Sequence, residues 1–190
     1  VNDYGRSKLG GEDVVRGTAR TPWTILRPCA VYGPRDHGFL PLFRLAQRGL
    51  FFLPTRASMP FTLIEVGDLA RAVVLAAESD RAAGETIAVG HPQPCATDDI
   101  LRTLADLFSR RYRPLTVPGA ALRATAAIGD LAWALGYRFV FDSGRLAEFN
   151  AEGFVCSVDR ARDVLGFTAS TALGDGFKRT ALSYQREGWI

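Results

Sequence analysis

Tyr4 and Lys8, four residues apart in the run Asp3-Tyr4-Gly5-Arg6-Ser7-Lys8, carry the clearest chemical spacing in the chain. On a helix, positions i and i+4 share one face about 6 Å apart, so a phenol and an ammonium can address the same place. A phenol with a pKa of ~10 is only about 0.1% ionised at neutral pH, and making it a working base takes about 4 kcal/mol of differential stabilisation. One cation at about 4 Å supplies about that much at an effective dielectric of about 20. The pair has the chemistry of a general acid/base; the plain alternative is two surface neighbours on a helix.

The elements that must hold this pair alternate in type. Tyr4 to Arg20 reads as a helix, Trp23 to Leu26 as a short strand, and Pro28 to Gly38 as a loop rich in glycine and proline. Leu40, Phe43 and Ala46 predict a short helix closed by Gly49; Phe61 to Ile64 predicts a strand, and Leu69, Val73, Ala76 and Ala77 recur at helical spacing. Glu85 to Val89 is strand-like. Thr97 is placed to cap a helix with the face Ile100, Leu101, Leu104, Leu107 and Phe108. Pro118 and Gly136 bracket another helix, striped by Ala124, Ile128, Leu131 and Leu135, and a last one starts near Thr171 and buries Leu173, Phe177, Ala181 and Tyr184. Such alternation argues for an α/β chain.

Composition excludes several classes. The chain has 190 residues, 47% hydrophobic and 23% charged, with formal charge +3, which suits a globular protein. The longest apolar stretch, Ala120 to Gly136, is interrupted by Arg123 and Asp130, so no membrane-spanning helix is expected, and no signal-peptide pattern opens the chain. Cys29, Cys95 and Cys156 show no CxxC spacing, so neither a disulfide framework nor a metal site is expected, and a reducing cytoplasm is the default. The basic balance comes from 21 arginines against Lys8 and Lys178 alone. The cluster Arg110, Arg111 and Arg113 reads as cations at a helix C-terminus, with phosphate binding as the lesser alternative. No nucleic-acid module is recognisable.

Three ordered blocks, DYGRSKLGGE from Asp3, WTILRPCAVYGPRD from Trp23 and FTLIEVGDLARA from Phe61, resemble the extended short-chain dehydrogenase/reductase superfamily, the NAD-dependent epimerase/dehydratase family. The likeness continues through Gly84 to Val89 and from Cys156 to Trp189. It implies the C-terminal part of a Rossmann-type doubly wound parallel sheet, at 1–33 and 85–90, with a smaller mixed α/β substrate-binding cap at 34–84 and 91–190. By resemblance, Tyr4 is the catalytic acid/base, and Lys8 lowers its pKa and bonds the nicotinamide ribose. Pro28, Cys29 and Val31 lie beneath the nicotinamide of NAD or NADP. The family's catalytic Ser/Thr has no match, and Ser7 does not take that role. None of the 19 glycines forms a pyrophosphate-binding turn, so the resemblance implies a fragment inactive by itself, a dimer, and a cytoplasmic small-molecule enzyme.

Within the family, Ala30 stands where nucleotide-sugar enzymes carry a substrate-binding asparagine, and a methyl cannot replace an amide. That favours relatives acting on less polar alcohols or ketones, of the hydroxysteroid dehydrogenase or dihydroflavonol reductase kind. A nucleotide-sugar epimerase or dehydratase, and a non-catalytic binding module, are the alternatives. Glu65 and Gly67 also depart from the usual histidine and aspartate. The stripe along Leu122 to Trp133, with Tyr137, Phe139 and Phe141, either packs the core of the cap or lines a lipophilic pocket or an entrance near a membrane.

Overall fold

The computed structural model describes residues 3–18, 20–54, 60–137 and 154–190. Helix α1 (Asp3–Thr18) leads into β1 (Thr24–Pro28) and β2 (Ala30–Tyr32), then α2 (Leu40–Gln47), β3 (Phe51–Pro54), β4 (Pro60–Phe61), β5 (Leu63–Glu65) and α3 (Val66–Glu78). A 3-10 turn at Asp80–Ala82 precedes β6 (Glu85–Val89), β7 (Cys95–Ala96), α4 (Thr97–Leu107), β8 (Pro114–Val117) and α5 (Gly119–Ala134). Among the described residues two further helices follow, α6 (Asp159–Leu165) and α7 (Leu173–Arg186). The chain is α/β, as its alternating pattern predicts.

Among the described residues the strands pair as four two-stranded ribbons: β1·β6, β2·β5 and β3·β8 parallel, and β4·β7 antiparallel. The segment expected to be loop after Pro28 therefore contains strand β2. Proline ends the first ladder because it has no N–H to donate. The Cys29 N–H still reaches Val89 O at 2.9 Å, and the Ala30 N–H turns to Thr62 O at 3.3 Å, so the chain changes partner from β6 to β5 within two residues. Strand β4–β5, expected as one run from Phe61, is split because its two halves face different partners.

Two cores result. Ile64, Ala72, Ala76, Ile87 and Val89 pack with Val164, Leu165 and Phe167, drawing α3 and α6 onto β6. Tyr32, Phe43, Phe51, Leu101, Leu104, Phe177 and Tyr184 form the other, where α2, α4 and α7 meet. The Phe177 ring makes edge contacts with Tyr32 at 5.2 Å and Phe43 at 5.3 Å, geometry that adds to simple area burial.

Several expectations need correction. Helix α3 buries Asp68, Ala72 and Ala76 and exposes Val73. Helix α4 is capped at Ala96, one residue early, with the Asp99 carboxylate accepting the Ala96 N–H at 3.0 Å. Arg110 donates to Gln47 O at 2.9 Å, so it serves the C-terminal end of α2 rather than that of α4. Among the described residues the α5 stripe lies outside both cores: Ile128, Leu131, Trp133 and Leu135 are exposed, and Ala126 is buried instead. Phe139 and Phe141 lie outside the described residues.

The expectation of unpaired cysteines also fails. Cys29 and Cys156, 127 residues apart in sequence, form a disulfide, and Cys95 is free. The folded chain returns its C-terminal segment to the crossover loop, which spacing along the sequence does not reveal. Cysteine count therefore no longer argues for a reducing compartment. Burial pushes the Cys95 thiol up to about 11, with the Asp99 carboxylate adding to it.

Candidate functional site

Helix α1 contains Gly5, Gly10, Gly11 and Gly17, each costing about 1 kcal/mol relative to alanine, so its own propensity is poor and tertiary contacts must hold it. Glu12 does much of this. Its carboxylate accepts from Arg27 Nε at 2.8 Å and Arg27 Nη2 at 2.6 Å, a two-pronged pair between α1 and β1. Arg16 adds a 2.7 Å contact to the same carboxylate and one of 3.1 Å to Thr86 Oγ1 on β6. The Arg27 hydrogen bond, helped by Arg16, holds the Glu12 carboxyl down to about 2, against partial desolvation.

Tyr4 and Lys8 come together on this helix, as their spacing predicts. Tyr4 is 70% exposed, and the Lys8 ammonium lies over its ring, 5.4 Å from the centroid. The cation rests on the ring face, a geometry worth about 0.5–1 kcal/mol at an exposed site. Glu12, one turn beyond Lys8, ties the pair to Arg27, the residue before Pro28. Pro28 is exposed, while Cys29 and Val31 are half-buried at the strand exchange, with Val31 paired to Ile64. The Cys29 amide and sulfur are both engaged, by Val89 O and Cys156.

Two cavities flank the segment that follows β6, and Pro92 and Pro94 line both. One, of about 480 Å³, is walled by Tyr32, Leu63, Glu65, His91, Cys95, Asp99 and Thr171. The other, of about 450 Å³, meets Gly90, Cys156, Asp159, Arg162 and Phe167. A side chain at Gly90 would meet Thr62 Cγ2 at 2.4 Å and Cys29 Sγ at 3.1 Å, so close packing there demands glycine.

Residue pattern alone did not assign a role to Glu65, and the structure supplies one. Its Oε2 caps α3 by accepting the Gly67 N–H at 2.7 Å and the Asp68 N–H at 3.3 Å, and it pairs with Arg179 at 3.4 Å. Asp68, also buried, accepts from the Ser170 and Thr171 amides at 3.0 and 2.9 Å, anchoring the approach to α7. The signal in the sequence was the acid directly before an apolar helical run. Burial, and then the Glu65 charge, push the Tyr32 phenol far above its ordinary range, so it stays neutral. Tyr32 is a structural wall, whereas Tyr4 faces solvent beside a cation.

Residues 1–90 match the model of the NAD dependent epimerase/dehydratase family. The whole chain is 27% identical to the ceramide reductase of Caulobacter vibrioides, covering 59% of that protein. An uncharacterised protein of Sinorhizobium fredii is also 27% identical over 93% of the chain, which covers 52% of it. Among solved structures, UDP-glucuronic acid 4-epimerase of Bacillus cereus aligns with a TM-score of 0.70 at 19% identity, over 97% of this chain and 52% of that one. UDP-glucose 4-epimerase of Thermotoga maritima aligns at 0.68 and 17% identity, over 96% and 52%. The chain thus spans between half and three-fifths of the length of these relatives, and the structural likeness establishes a shared fold.

Proposed function

We propose, from the match of residues 1–90 to the NAD dependent epimerase/dehydratase family model, that this chain belongs to that family and is the acid/base-bearing and substrate-binding portion of a nicotinamide-dependent oxidoreductase acting on an apolar alcohol or ketone. The observation that carries the reading is the Tyr4–Lys8 pair on one exposed face of α1, tied through Glu12 to the strand end that leads into Pro28. Tyr4 exchanges a proton with the substrate oxygen. Lys8 supplies positive charge beside the phenol and a donor for a ribose hydroxyl. The nicotinamide, when bound, supplies or accepts hydride.

The residues present fit the nicotinamide end of such a cofactor in part. Tyr4 and Lys8 are accessible together, but Cys29 has its amide and sulfur already engaged. Pro28 and Val31 therefore carry that loop's share of the contact. Whether the cofactor is NAD or NADP is decided by residues that read the ribose 2′ position.

The apolar substrate class is supported by the ceramide reductase relative, which matches the full chain, and by Ala30, which offers no side-chain amide to a sugar. Tyr4→Phe in the full-length protein lowers turnover by at least about 100-fold, the scale of a general acid/base, and leaves NADH binding within about twofold. Unchanged turnover removes Tyr4 from the mechanism. Thermal-shift screening separates the nucleotide-sugar reading, since a UDP-sugar would raise the melting temperature where an apolar ketone would not.

A further inference from the structure

We propose that the outer face of the β3–β8 ribbon, continued by α5, is a docking surface for an anionic lipid bilayer. Strand β3 alternates: Phe51 and Leu53 are buried, whereas Phe52 is 44% exposed. In the parallel ribbon Phe52 is the register partner of Leu115, itself 55% exposed, so the two side chains stand next to each other on the outer face. Only Val117 and Pro118 separate Thr116 from α5, whose Ile128, Leu131 and Leu135 recur at spacings of three and four and face solvent. Large apolar side chains grouped this way mark an interaction surface more often than scattered single ones do.

Charge selects the partner. Residues 37–54, which contain β3, hold Arg44 and Arg48 and no carboxylate. Residues 107–134, which contain β8 and α5, hold Arg110, Arg111, Arg113 and Arg123 against one carboxylate, Asp130. The pairing of β3 with β8 brings these two segments together, six arginines against one acid, although the chain as a whole carries only +3; Arg44 and Arg110 donate to the Trp189 and Gln47 carbonyls, and Asp98 accepts from the Tyr112 hydroxyl. Arginine stems reach past an apolar surface while their heads stay at the level of lipid phosphates, so apolar residues rimmed by arginine suit an interface better than bulk water. Among the described residues no helix is long and apolar enough to cross a membrane, so the contact is peripheral.

This surface is independent of the proposed hydride chemistry and is tested without turnover. The full-length protein is sedimented with vesicles of phosphatidylcholine alone, and of phosphatidylcholine with about a third phosphatidylglycerol, at about 0.05 M and about 0.5 M salt. Binding is expected to the anionic vesicles at low salt and to weaken at high salt. Charge reversal by R111E with R113E weakens it by at least about tenfold, and Phe52→Ser with Leu115→Ser by at least about fivefold. These side chains are exposed, so both variants keep the wild-type circular dichroism and melting temperature, and Tyr4→Phe sediments like wild type even when inactive. The proposal is overturned by an absence of binding, by equal binding to neutral and anionic vesicles, or by variants that bind as wild type does. It also fails if hydroxyl-radical footprinting finds Phe52 and Leu115 protected in the vesicle-free protein, because another segment or a second copy then covers the face, or if an oligonucleotide displaces the vesicles at lower concentration than anionic lipid does.

Discussion

Helices α1 and α7 have similar lengths, 16 and 14 residues, and opposite means of attachment. Helix α7 is held by packing. It buries Gly176, Phe177, Thr180, Ala181 and Tyr184, with Phe43 in edge contact with both Phe177 and Tyr184. Helix α1 is held by charge: Glu12 and Arg16 reach Arg27 and Thr86, while Tyr4, Leu9 and Val14 stay exposed. Close packing tolerates little displacement, whereas a polar tether ties a helix at one place and leaves its other faces open. The helix that carries the proposed reactive pair is the one with open faces.

The largest break in this contrast is Phe177→Ala, which removes a fully buried ring. It costs about 3–5 kcal/mol in urea unfolding and disrupts the contacts of α2 and α4 with α7. Gly176→Ala comes next. A β-carbon there would lie 2.3 Å from the hydroxyl of the buried Tyr32, which cannot swing aside, so the expected loss is about 1–3 kcal/mol by the same measurement.

Glu12→Gln gives the smallest global effect and the most local one. Amide exchange in α1 accelerates while that in α7 is unchanged. The sign of its pH dependence follows from the depressed carboxyl. With an unfolded value of 4.5 and a folded value of about 2, the tether contributes fully above 4.5 and is lost as pH falls toward about 2. Exchange protection of α1 should fall over that window in the wild type and be flat in the glutamine variant. Equal losses in α1 and α7 would show that the two helices are not separately attached.

Legibility followed the same division. The α7 face of Phe177, Ala181 and Tyr184 was readable because an apolar stripe on a packed helix needs only its own period. The α4 face of Ile100, Leu101 and Leu104 was readable for the same reason. Strands β2, β3, β7 and β8 were not. At two to four residues they carry too little periodicity, and what defines them is a partner elsewhere in the chain. The α5 stripe shows the limit most plainly, since helical spacing found Ile128, Leu131 and Leu135 but could not say which side faced inward.

The sequence by itself determined the α/β alternation, the shared face of Tyr4 and Lys8, and the arginine-rich, carboxylate-poor segments, because each is a matter of local spacing or composition. Tertiary structure alone decided that Cys29 meets Cys156, that Glu65 caps α3, that Glu12 grips Arg27, and that Phe52 stands beside Leu115. Each of these depends on register or on contact between residues distant in the chain, and local periodicity holds no information about either.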